Sequence, residues 1–148
     1  MSSYVSQALR QLVAERANHL CEYCLIHEED TFLGCQIEHV ISEKHGGRTV
    51  EENLAFACVF CNRFKGSDLG SLHPSTGELV RFFNPRTDRW SEHFRIVGLR
   101  IVALTGIGEV TARILEFNHG DRVLEREQLK AAGRFPSPAA LAHIAEFS

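Results

Sequence analysis

The spacing of apolar residues near the amino terminus predicts an amphipathic helix over residues 3–18, with Ser3 as its cap. Between residues 31 and 41, apolar and polar positions alternate loosely, which is typical of half-buried strands. We expect a hairpin there, and its second strand should end near His39. The first third of the chain therefore combines a helix with a small sheet.

A turn and a second strand are expected next, because the Gly-Gly pair at residues 46–47 indicates a loop. Thr49 and Glu52 have the spacing of a capping box, which predicts one short helical turn. Residues 54–57 are mostly apolar and predict a strand, and residues 62–65 should lie on a short helix. The predicted order is strand, loop, strand, helix.

The second half of the chain predicts two hairpins, one turning at Thr76-Gly77 and one around Gly98. Three helices should follow. The first covers residues 108–118, the second runs from a cap at Asp121 to residue 132, and the third covers residues 139–147. Trp90 and Phe94 are expected to be packing residues. We expect one domain, residues 1–148, in which a core of about residues 21–66 is wrapped by residues 67–148.

Composition changes this picture little, since 148 residues with 44% hydrophobic content suit a soluble, cytoplasmic, globular protein without a membrane partner. The net charge of -3 argues against a protein that coats nucleic acid generally. Basic residues are nevertheless concentrated in one stretch, which predicts a phosphate-binding face. These residues are Arg81, Arg86, Arg89, Arg95 and Arg100.

Two Cys-x-x-Cys pairs, Cys21/Cys24 and Cys58/Cys61, have the spacing of a zinc site with four thiolate ligands. A redox dithiol needs only one such pair, usually within a βαβ unit, which is not predicted here. A disulfide framework would leave the fifth cysteine, Cys35, over. We therefore expect structural Zn²⁺, with Cys35 as a small buried hydrophobic residue.

The segment between and around the cysteine pairs resembles the HNH endonucleases, which have a ββα-metal fold. Four residues carry the resemblance in family order: Glu38, His39, Asn53 and Asn62. The Gly-Gly loop, the Glu-Asn-Leu that follows it and the ending Cys-x-x-Cys-Asn-x-x-Lys also match, over residues 21–65. A weaker match continues towards the carboxy terminus, where residues 82–94 and 105–118 look like the tail attached to a group of small bacterial HNH proteins. The resemblance implies an α+β fold with a ββα-metal core, flanked by a helix, a hairpin and further helices.

The resemblance also implies hydrolysis of DNA phosphodiester bonds, leaving 5'-phosphate and 3'-hydroxyl ends. His39 would be the general base, because an imidazole can accept a proton near neutral pH. Glu38 and Asn62 would hold one catalytic Mg²⁺ or Mn²⁺ through oxygen atoms. Asn53 would orient the loop and the catalytic histidine.

Substrate contacts are expected from the cations nearest this segment and from the basic stretch that follows it. Arg63 and Lys65 lie on the predicted short helix, where they could touch the DNA backbone, as could Arg86. His45, in the glycine loop, is interpreted as a solvated side chain.

Two functions from other classes remain open. One is a zinc-stabilised nucleic-acid-binding module without hydrolytic activity, and the other is a protein-interaction domain that uses the acidic amino-terminal helix. RNA is not excluded as a substrate.

Overall fold

The computed structural model describes residues 4–146 of the chain. Helices and small antiparallel sheets make up this part of the molecule. In chain order the elements are α1 (Gln7–Arg16), β1 (Cys35–His39), β2 (Leu54–Cys58), α2 (Val59–Lys65), β3 (Gly70–Leu72), β4 (Leu79–Arg81), α3 (Trp90–His93), β5 (Phe94–Val97), β6 (Arg100–Ala103), α4 (Gly106–Ile114), α5 (Gly120–Ala131) and α6 (Pro138–Ala145).

The strand, loop, strand, helix order predicted for the middle of the chain is confirmed by β1, β2 and α2. Strands β1 and β2 pair antiparallel, with His39 opposite Leu54 and Cys35 opposite Cys58. Helix α2 begins directly after β2, where Cys58 is its amino-terminal cap. Every residue of β2 is buried, because α1 packs against one side of the hairpin and α2 against the other. The α+β fold class with a ββα core is thus confirmed.

Helix α1 begins later than the apolar pattern predicted, at Gln7. Its cap is Ser6, whose side-chain oxygen accepts a hydrogen bond from the backbone N–H of Leu9. The predicted cap, Ser3, lies outside the described residues. Val13 is fully buried and packs with Leu54 of β2, so the helix covers the sheet face that points away from α2.

The hairpin predicted within residues 31–41 is wrong, since β1 is the single strand there and its partner is β2. A 3-10 turn at Glu28–Asp30 and the positive φ of Gly34, 71°, interrupt the extended run before Cys35. The predicted end of the strand at His39 is confirmed. The capping box is also wrong: a short turn forms at Glu51–Asn53, but without a side-chain cap.

Both hairpins predicted for the second half are confirmed, as β3–β4 and β5–β6. Helices α4, α5 and α6 are also present, and each begins slightly earlier than predicted because its cap lies upstream. The caps are Thr105, His119 and Ser137, so the predicted cap at Asp121 is wrong. The predicted end of the last helix, residue 147, lies outside the described residues.

One cluster of buried side chains extends from Leu20, before the first cysteine pair, to Ala140 on α6. Trp90 and Phe94 belong to it, with ring centroids 5.1 Å apart, so their predicted packing role is confirmed. The indole N–H of Trp90 donates a hydrogen bond to the backbone oxygen of Tyr23. Residues from the second half of the chain therefore pack directly onto the segment that carries the first cysteine pair.

Among residues 4–146, none of the helices has the length and apolar character needed to cross a membrane.

Candidate active site and metal centre

The two Cys-x-x-Cys pairs meet in the structure and form one buried cluster of four thiols. The ligand atoms of the four cysteines all lie within 4.8 Å of one another, and the sulfurs of Cys24 and Cys58 are 3.7 Å apart. A tetrahedral ion with Zn–S bonds of about 2.3 Å holds its sulfurs about 3.8 Å apart. The cluster has the donor atoms and the spacing of a structural zinc site.

Tight turns direct the sulfurs inward at both cysteine pairs. The backbone N–H of Cys24 donates to the sulfur of Cys21, and the N–H of Cys61 donates to the sulfur of Cys58, each across 3.5 Å. Such N–H groups favour the thiolate form that zinc requires. The first turn is closed by the bridge between Leu20 and His27, so the geometry of this pair is set by local backbone pairing.

The chemistry of the four thiols also fits a metal ion. Burial raises the pKa of the Cys21 and Cys61 thiols well above the ordinary value, because a thiolate loses its hydration in the protein interior. A divalent cation reverses this cost by bringing two positive charges into direct contact with the sulfurs. The four sulfur donors and their spacing fit Zn²⁺.

His39 ends strand β1, and its ring is held by a hydroxyl group. The Nε2 atom of His39 lies 2.8 Å from Oγ1 of Thr49. When Nε2–H donates to this oxygen, the lone pair of the ring is on Nδ1, the nitrogen required to accept a proton. Thr49 was predicted to cap a helical turn, and the structure instead places its hydroxyl against the proposed general base.

Asn53 binds both ends of the loop that follows His39. Its Oδ1 accepts a hydrogen bond from the N–H of Ile41, and its Nδ2 donates to the backbone oxygens of Ile41 and Arg48, each at 2.9 Å. Gly47 lies in the same loop, where a Cβ atom would come within 1.7 Å of the Ile41 oxygen. Asn53 and Gly47 together keep the loop closed against β1.

Asn62, on helix α2, lies beside strand β1, but its partner there is an amide. Its Nδ2 donates to Oε1 of Gln36 at 2.5 Å. Because side chains alternate along a strand, Gln36 and Glu38 share the face that α2 covers, one strand repeat of about 6.6 Å apart. The structure thus pairs Asn62 with Gln36, which the sequence did not single out.

Glu38 is buried in an ion pair with Lys65. Its Oε1 lies 2.6 Å from Nζ of Lys65, and both side chains are almost fully buried. Burial raises the pKa of Glu38, while Lys65 and the hydroxyl of Tyr23 oppose the rise. Lys65 also donates to the backbone oxygen of Val40 at 2.8 Å. Lys65 is therefore a buried partner of Glu38 and is not placed to contact DNA, contrary to the sequence expectation.

This ion pair bears directly on the predicted Mg²⁺ or Mn²⁺ site. A hard cation binds carboxylate or amide oxygens that are free to coordinate it. The carboxylate of Glu38 is instead paired with the ammonium group of Lys65. Of the predicted pair of ligands, Asn62 is the more accessible, because Glu38 is buried. Glu38 and Asn62 do not form a ready divalent-cation site in this arrangement.

The other predicted substrate contacts divide into one exposed residue and one paired residue. Arg63 is exposed on α2, one position beyond Asn62. The guanidinium of Arg86 is hydrogen-bonded to the carboxylate of Glu22, and its side chain is mostly buried. Arg86 is therefore not free to contact phosphate, and the predicted phosphate-binding face loses this member.

A further arginine contacts the thiol cluster, although no sequence pattern pointed to it. Arg122 of helix α5 places Nη2 at 3.1 Å from the sulfur of Cys24 and 3.7 Å from that of Cys58. Its distance from Cys24 along the chain is 98 residues. Such a contact has no local sequence signal, since it depends on how the carboxy-terminal half folds back.

Residues 21–68 match the family model described as HNH endonuclease. No curated protein and no solved structure matches the chain.

Proposed function

We propose that the protein hydrolyses DNA phosphodiester bonds with His39 as the general base, since residues 21–68 match the HNH endonuclease family model. The contact between His39 Nε2 and Thr49 Oγ1, 2.8 Å, is the observation that carries the proposal. We propose that Nε2–H donates to this hydroxyl oxygen, which leaves Nδ1 to accept a proton from water. Asn53 supports the same role, because it holds the loop next to this histidine.

Attack of water on phosphorus with departure of the 3' oxygen leaves a 5'-phosphate and a 3'-hydroxyl, and these are the ends we propose. Arg63 is the exposed cation on α2 and is proposed to contact a phosphate next to the scissile one. A cytoplasmic location belongs to the same proposal, because a reducing compartment keeps the four cysteines from forming disulfides.

We also propose that the reaction requires Mg²⁺ or Mn²⁺, with the Asn62 amide oxygen as one ligand. A divalent cation would supply charge stabilisation on the phosphate. Glu38 is left out of this ligand set because it is paired with Lys65.

The same ion pair favours a second candidate function, a nucleic-acid-binding module without hydrolytic activity. In that case the domain would keep its zinc centre and its exposed Arg63 but lack the carboxylate needed for metal-dependent cleavage. Protein binding through the acidic amino-terminal segment has no comparable support from the site.

The decisive experiment follows conversion of supercoiled plasmid to nicked and linear forms, with Mg²⁺, with Mn²⁺ and with EDTA. We expect His39→Ala to lower the cleavage rate about 10² to 10⁴-fold, as is usual for loss of a positioned general base. The matched control is His45→Ala, which removes an exposed histidine from the neighbouring loop and should retain wild-type cleavage.

Cleavage by His39→Ala at the wild-type rate would assign the activity to another site. A wild-type protein that binds DNA but cleaves with neither cation would establish the binding module instead.

A further inference from the structure

The carboxy-terminal half of the chain reaches the thiol cluster through one buried cation. Arg122, on α5, is 4% exposed. Its Nη2 contacts one sulfur from each cysteine pair, 3.1 Å from Cys24 and 3.7 Å from Cys58. A single guanidinium therefore bridges the two turns that supply the four sulfurs.

The charge of the cluster explains why a cation is placed there. Four thiolates around one Zn²⁺ carry a net charge of -2, and such a charge is costly in a buried site unless it is paired. Arg122 is the cation in contact with these sulfurs among residues 4–146. Its guanidinium also lies 5.1 Å from the ring centroid of Phe60, between Cys58 and Cys61, so it is fixed on the second turn by packing as well as by charge.

Two other side chains from the same half hold the first cysteine pair from outside. Arg86 is hydrogen-bonded to Glu22, and Trp90 donates to the backbone oxygen of Tyr23 at 2.8 Å. Glu22 and Tyr23 are the two residues between Cys21 and Cys24. Both residues of this turn are thus bound by residues that follow the HNH segment.

We propose that Arg122 is the counter-ion of the zinc tetrathiolate. Together with Arg86 and Trp90 it forms what we call the clamp, a set of contacts from the carboxy-terminal half that slows metal release. The clamp acts by hydrogen bonds to thiolate sulfur and by holding the first turn closed. It assigns a role to the carboxy-terminal half that is independent of DNA hydrolysis.

The test measures zinc release to a chromogenic chelator from the full-length protein after elemental analysis of its zinc content. We expect Arg122→Gln to release zinc about 10 to 100-fold faster than wild type, the usual effect of removing a group that supports metal ligands. Arg122→Lys should lie between the two, because it keeps the charge but loses the guanidinium geometry.

The matched control is Arg126→Gln, one turn further along α5. Arg126 is also buried, but it donates hydrogen bonds to the backbone oxygens of Leu99 and Phe117 and to Oδ1 of Asn118. We expect this variant to have a lower melting temperature than the wild type. At temperatures where it is still folded, it should release zinc at close to the wild-type rate.

Equal release rates for Arg122→Gln and wild type, or for Arg122→Gln and Arg126→Gln, would overturn the proposal. If Arg122→Gln does not fold, the comparison is made between Arg122→Lys and Arg126→Lys, and equal rates again overturn it. Wild-type protein without stoichiometric zinc would overturn the metal centre itself.

Discussion

The Nζ atom of Lys65 lies 2.6 Å from Oε1 of Glu38, and the two side chains are among the most deeply buried charges of the described residues. Lys65 comes from the end of α2 and Glu38 from β1, so the pair fastens the helix to the strand that carries His39. Lys65 also binds the backbone oxygen of Val40. The residues predicted to hold a metal and to touch DNA instead fix the end of the strand that carries His39.

The first prediction concerns this pair. Lys65→Met leaves a carboxylate buried without its partner, so we expect the free energy of unfolding to fall by about 3 to 5 kcal/mol. The double variant Glu38→Gln, Lys65→Met should recover part of this loss, because no unpaired charge is left. Urea unfolding measures both. Arg81→Met is the control, because the Arg81 side chain is 53% exposed in its pair with Asp88, so this change should cost about 1 kcal/mol.

An outcome in which Glu38→Gln leaves stability unchanged but abolishes activation by Mn²⁺ would contradict the structural role of the pair. Glu38 would then be a metal ligand, as the sequence predicted.

The second prediction concerns the hydroxyl of Thr49. Thr49→Val has nearly the same shape but removes the oxygen next to His39 Nε2, so the ring loses the contact that fixes its tautomer. We expect cleavage to fall about tenfold or more, since partners of functional histidines typically contribute a factor of 10 to 100. Thr49→Ser keeps the oxygen and should retain most of the activity.

If Thr49 had a purely structural role, Thr49→Val would lower the melting temperature and the cleavage activity together. The proposed role instead changes the ¹⁵N chemical shifts of the His39 ring and the pH profile of cleavage, with little change in melting temperature. Unaltered ring shifts in Thr49→Val would rule out tautomer control.

The third prediction concerns the glycine loop. Gly47→Ala would put Cβ within 1.7 Å of the Ile41 oxygen and 2.8 Å of Asn53 Nδ2, so the loop must open and the Asn53 hydrogen bonds must break. We expect a stability loss above about 2 kcal/mol, since the three Asn53 hydrogen bonds are lost and the backbone must move to make space, together with loss of cleavage.

Gly46→Ala provides the comparison for the glycine loop. Gly46 has a φ of 89° but no atom near its Cβ position, so this change should cost only about 1 kcal/mol of backbone strain. Similar unfolding curves for the two variants would show that the loop tolerates a side chain at residue 47.

The ββα order could be predicted from sequence because its signals are local. The two cysteine pairs, the Gly-Gly loop and the apolar residues 54–57 each lie within a few positions of the feature that they determine. The predicted inner hairpin failed for a local reason as well, because Gly34 adopts a positive φ that the loose alternation did not reveal.

Charge pairing could not be predicted in the same way. Arg86 was expected to face phosphate, yet its partner Glu22 is 64 residues away along the chain. Glu38 was expected to face a metal, but the helix brings Lys65 to the same side of the strand. An isolated sequence shows which residues carry charge, whereas burial decides which of those charges must be paired.

The position of Arg122 in the chain has a consequence for protein synthesis. All four cysteines of the proposed zinc site lie at or before residue 61, whereas Arg122 is translated roughly sixty residues later, about 3 to 12 s at 5–20 residues per second. A nascent chain can therefore load its metal on the ribosome before the clamp exists. During that interval, exchange of zinc with cellular thiols would be fast, and translation of α5 would be the event that makes metal loading durable.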